Sequence, residues 1–212
     1  MSLDKNIDPV VIPNGAGEDM IAKKLTAKNL KNPIALFQGN FYWLQNTEAA
    51  LYLIKKIIPL AQKKIPDLKF IIAGQNAKNK IGNYKTKNLQ IIDIQSNDID
   101  KVKKIYQQAT FFIAPIFGPG GTRLKILAAM ASGLPVISTT IGITGLDVIN
   151  NKHVLIADNP EDFIQAIKKL NNKNFYEKIR KQAFLLIKEK YNWKKISEKL
   201  EQIYQMLHPN KT

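Results

Sequence analysis

Cysteine is absent from the 212 residues. Disulfide bonds and thiolate metal sites are therefore excluded, and a reducing, cytoplasmic compartment is the expectation. Histidine is nearly absent too: His153 and His208 are the only two, too few for a histidine-based metal site. Arginine is the third scarcity. Of 32 basic residues, Arg123 and Arg180 alone are arginine. No apolar run reaches the roughly 18 residues that a membrane-crossing helix needs, and Met-Ser-Leu-Asp-Lys-Asn at the start has no apolar stretch of signal-peptide type. No Ser/His/Asp arrangement, no pair of carboxylates and no general base stand out.

What is abundant is lysine, and it carries the formal net charge to +15. A charge of that size suggests nucleic acid. Base and phosphate recognition, however, favours the planar fork of arginine, and the lysines are scattered over helix faces rather than blocked together. Solvated surface is the first reading, peripheral contact with an anionic membrane or acidic substrate the second, and nucleic acid is not expected as a partner.

Apolar runs of strand length alternate with segments of helical period. Pro33 to Gln38 reads as a strand, followed by Gly39 and Asn40. Asn46-Thr47-Glu48 reads as a helix start with Asn46 as the capping side chain. Lys69 to Ala73 is the next strand, closed by Gly74. Residues 75–88 read as a polar loop, Leu89 to Ile94 as a third strand, and Asp98 to Gln107 as a short helix. Val154 to Ala157 is a last strand. Asn159-Pro160-Glu161 then opens a helical C-terminal part. The alternation implies an α/β fold: a Rossmann-like parallel sheet with helices on both faces and added C-terminal helices. Residues 1–32 read as a connector into a domain spanning 33–212. Ligands of such sheets sit beyond the carboxyl ends of the strands. That rule gathers Gly39–Asn40, Gly74–Asn76, Ile94–Ser96 and Phe117–Thr122 around one crevice.

Residues 110–138 are the most informative stretch. An apolar strand, Phe111 to Ala114, enters a glycine-rich loop with Gly118, Gly120 and Gly121. The loop opens into a helix read as Thr122 to Ala131. Such a junction offers unpaired N–H groups and the positive end of a helix dipole, the parts a phosphate needs. Arg123 and Lys125 add cations. A dinucleotide fingerprint fits poorly, because it follows the first strand and carries an acid about 20 residues on. A tight strand-to-helix turn with surface charges is the alternative.

In order along the chain, Val11-Ile12-Pro13-Asn14-Gly15, Ala35 to Asn40 with Asn46, Glu48 and Ala49, Pro66 to Gly74, and Gly120-Gly121-Thr122-Arg123-Leu124-Lys125-Ile126-Leu127 through Ile137 resemble one family. So do Tyr191 and Trp193. The chain is similar to the C-terminal, donor-binding half of GT-B glycosyltransferases of the group 1 type, over about residues 10–205. The resemblance implies transfer of a sugar from a nucleotide-diphosphate donor, with retention and without a metal. The diphosphate would rest on Gly120, Gly121 and Thr122, with Arg123, Leu124 and Lys125 beside it and Gly39 and Asn40 facing it. The base would lie near Gly74 and Ile94. Two departures stand out. The family often carries glutamates at the positions of Gly120 and Ala128, the second of which usually accepts ribose hydroxyls. The usual arginine and lysine after the first strand give way to Phe41–Gln45. The resemblance also implies a partner, an N-terminal acceptor-binding half, without which this chain is expected to be inactive. The other expectation is a degenerate, non-catalytic domain that binds a partner.

Overall fold

The computed structural model describes residues 10–82, 84, 86–118 and 123–207. Six parallel strands form one sheet: β1 (Ile34–Gln38), β2 (Lys69–Gly74), β3 (Leu89–Asp93), β4 (Phe111–Ala114), β5 (Val136–Ser138) and β6 (Leu155–Ile156). Their order is β3-β2-β1-β4-β5-β6. Ala35 pairs with Phe70 on one side and Phe111 on the other. Ala35–Phe37 of β1 and all of β4 are buried, which is why both read as apolar runs. The chain works outward from β1 to β3, then crosses back to β4. This reversal leaves a crevice at the carboxyl ends of β1 and β4.

Helices cover the sheet: α1 (Leu44–Tyr52), α2 (Ile58–Lys64), α3 (Ala77–Ile81), α4 (Ile99–Gln108), α5 (Leu124–Ala131), α6 (Pro160–Leu170), α7 (Lys173–Lys190) and α8 (Trp193–Leu207). Leu53–Ile57 joins α1 to α2 as a π-helical stretch. Pro59 sits just inside α2. Its ring cannot donate to the turn before it and would clash with that turn's carbonyl, so the helix widens there. Side chains cap several helices, among them α4, α6 and α7. Asp98 accepts from Lys101 N–H, Asn159 from Asp162 N–H and Asn172 from Phe175 N–H. α5 is mostly apolar, with Ile126, Leu127, Ala129, Met130 and Ala131 all buried.

Two readings change. The expected polar loop 75–88 contains the short α3, whose Lys- and Asn-rich sequence gives no apolar period. The helix after β1 begins at Leu44, and Asn46 makes no cap; its side chain is buried and engaged elsewhere. Residues 16–31 run from the end of α7 past α5 to α4. Ala16 N–H donates to Tyr191 O at 2.8 Å and Ala22 N–H to Ala131 O at 2.9 Å. Among the described residues, no helix is long and apolar enough to cross a membrane.

Candidate functional site

Two glycines set the floor of the crevice. Gly74 has φ +148°, and a Cβ there would lie 1.7 Å from Gly39 O. Only glycine permits that approach. A Cβ on Gly39 would meet Asn46 Cγ at 2.9 Å. The turns after β1 and β2 are then bonded together, with Phe41 N–H donating to Gln75 O at 3.0 Å. Ile94 N–H donates to Gly74 O at 3.0 Å, which ties in the turn after β3. Three of the four loops expected around one crevice are thus bonded in series, and most of the fourth, Phe117–Thr122, lies outside the described residues.

Beside Gly74 is an open cavity of about 360 Å³. Tyr42, Gln75, Asn76, Asp93, Ile94, Gln95 and Ser96 line it. Asn76 takes the left-handed backbone region at φ 60°, which turns the chain out of β2 and into α3. Asp93 accepts from Lys78 N–H at 3.0 Å.

The cationic side belongs to α5. Gly120, Gly121 and Thr122, the expected phosphate cradle, lie outside the described residues. Arg123 stands at the N-cap position without a side-chain cap. Its side chain does not point into open solvent: the residue is 9% exposed. Nη2 donates to Gly118 O at 3.2 Å and to Ile141 O at 3.1 Å. Arg123 thus clamps the end of the β4 loop to the segment after β5. Its buried Nε has no partner among the described residues. Leu124 is 52% exposed.

Lys125 is half-buried and reaches from α5 across to the β1 side. Its Nζ donates to Asn46 Oδ1 and lies 5.5 Å from the centroid of the Phe37 ring. Asn46 Nδ2 donates onward to Asn40 O at 2.6 Å. The chain Lys125–Asn46–Asn40 therefore ends on the turn after β1. Burial first, and the Arg123 charge second, bring the Lys125 ammonium down to about 8. Burial also lowers Arg123. Among the described residues no carboxylate pairs with either side chain. Ala128 lies one turn on in α5, packed against the core and offering no acceptor.

Over residues 32–173 the sequence matches the family described as Glycosyl transferases group 1. The chain belongs to the group 1 glycosyl transferases. An uncharacterised 44.6 kDa protein in the cps region of Klebsiella pneumoniae is 32% identical over 175 residues, covering 79% of this chain and 45% of that protein. Two solved structures share the fold. Sucrose-phosphate synthase from Thermosynechococcus elongatus has a TM-score of 0.68 at 18% identity, over 94% of this chain and 53% of that one. Anabaena Alr3699/HepE in complex with UDP-glucose has a TM-score of 0.61 at 10% identity, over 82% and 49%. The chain spans about half the length of each. The Rossmann-like sheet is one half of the GT-B fold seen in these glycosyltransferases.

Within this group 1 domain, Lys125 reaches the Gly39–Asn40 turn through Asn46, Gly74 packs against Gly39, and Ile94 lines the cavity beside them. Three residues with a place at the site were not expected there: Asn46, taken for a cap, Asp93, read with Asp98 and Asp100 as capping and solvated rather than as a metal cluster, and Tyr42; the last two line the cavity. Tyr42, Trp43 and Leu44, standing where the family's usual cations fall, are all exposed at the rim. Their consecutive bulk in a turn was the available signal.

Proposed function

We propose that the domain binds a nucleotide-diphosphate sugar and serves as the donor half of a retaining transferase in polysaccharide biosynthesis. The observation that carries this reading is Lys125. A half-buried ammonium beside a second cation, with no carboxylate on it among the described residues, is a charge awaiting an anion. In the low dielectric of a crevice such a charge acts far more strongly than in water. The diphosphate lies between Lys125 and the Gly39–Asn40 turn, at the opening of α5. The base occupies the cavity lined by Tyr42, Asn76 and Ile94. Helix dipole and cations support the leaving diphosphate, and no metal takes part. The bound UDP-glucose of the HepE structure and the cps-region relative support this assignment. Transfer itself needs an acceptor-binding half, and the isolated domain is inactive.

Ala128 favours a second reading, a non-catalytic module that binds a partner protein. Lacking an acceptor for the ribose hydroxyls weakens the donor by about 1.5–3 kcal/mol, tenfold or more. Calorimetric titration with UDP, GDP and ADP tests both. Millimolar binding of at least one, strengthened about tenfold in Ala128→Glu, supports the donor site. Absence of binding by the parent chain at millimolar ligand overturns it, and an Ala128→Glu chain that gains nothing favours the module.

A further inference from the structure

Resting on the donor-site reading, we infer that Asn46 is a positioning residue: a neutral partner that holds the Lys125 ammonium at the Gly39–Asn40 turn without cancelling its charge. The geometry fixes the amide's orientation. Nδ2 faces the Asn40 carbonyl at 2.6 Å, so Oδ1 faces the ammonium. Asn46 is 8% exposed, and Gly39 has no Cβ where the Asn46 side chain lies. The amide is thus seated between the β1 turn and Lys125 of α5.

The choice of an amide matters for charge. An aspartate of the same shape in this place would form a buried ion pair and satisfy the ammonium internally. An aliphatic side chain would leave it without an acceptor. Asparagine supplies one hydrogen bond and no charge. The positive potential then stays available to an incoming phosphate oxygen, and Lys125 is aimed before the ligand arrives.

Two substitutions in the full chain separate this role from packing, with UDP and inorganic pyrophosphate as probes. Asn46→Asp weakens both at least tenfold, because the new carboxylate occupies the charge. Asn46→Ala weakens them only about threefold, because the ammonium stays unpaired though poorly aimed. The pH profiles move in opposite directions. In the parent chain, affinity falls as pH rises through about 8, where Lys125 loses its proton. The midpoint rises in Asn46→Asp and falls in Asn46→Ala. Should Asn46→Asp fail to fold, the downward midpoint in Asn46→Ala still decides. Equal losses in the two variants, or an unmoved midpoint in both, overturn the inference and leave the donor site standing. A parent chain that binds neither probe overturns both.

Discussion

The chain has two arginines, and each stands beside a half-buried lysine. Arg180, on the buried face of α7, is 1% exposed. Its Nε donates to Gly133 O at 3.0 Å, and Nη1 donates to Thr26 O at 2.9 Å and to Glu177 at 3.2 Å. Nearby Lys28 donates to Gln107 O at 2.5 Å at the end of α4. Burial, then the Arg180 charge, brings it to about 8. At the crevice, Arg123 and Lys125 carry the same pair of charges and a like lowering of the lysine. The acceptors differ. The Arg180–Lys28 pair meets a carboxylate and several main-chain carbonyls, so its charge is spent inside the fold. The Arg123–Lys125 pair meets two carbonyls and one amide. A depressed lysine therefore says little about function until its acceptors are counted.

Substitution can break this comparison. The largest effect is expected from Arg180→Met, which strands the carbonyls of Gly133 and Thr26. A loss of about 3 kcal/mol lowers the melting temperature of a domain this size by about 6–12 °C, checked by calorimetric or dichroism melts. Next comes Lys125→Met. The melting temperature stays within a few degrees, while UDP or pyrophosphate affinity drops at least tenfold in titration. A reversal of these two patterns would erase the distinction between structural and ligand-facing cations. The smallest effect is a pH dependence. Lys125 titrates near 8 when folded and near 10.5 when unfolded, so between these values the unfolded chain binds more protons. Its contribution to stability then grows as pH rises from 8 toward 10.5. Melts across that window should show the parent chain gaining on Lys125→Met; parallel curves would argue against a buried ammonium.

Much of the architecture was legible because it rests on local signals. Ile34–Phe37 and Phe111–Ala114 are apolar throughout, as strands buried on two faces must be. Asp98 and Asn159 cap helices where the sequence placed starts. The strand order was not legible, since periodicity says nothing of which strand neighbours which. Asn46 shows why the site was only half readable. Asn-Thr-Glu has the local chemistry of a helix start, but the amide answers to Lys125 and to Asn40 O. Arg123, read as a cation for the phosphates, also clamps Gly118 O and Ile141 O, which no local pattern announces. The closeness of Gly39 and Gly74 was visible only as two glycines after two strands.

The central position of β1 has a consequence for synthesis. β1 pairs with β2 on one side and β4 on the other, and Asn46 and Lys125 are separated by 79 residues. At ribosomal speeds of about 5–20 residues per second, about 4–16 s pass between their appearances. During that interval β1, β2 and β3 can pair, yet one side of β1 has no neighbour. An apolar edge of this kind recruits other strands. The nascent chain is most open to mispairing until β4 emerges and closes that edge, and Lys125, which follows β4 in the chain, reaches Asn46 only afterwards.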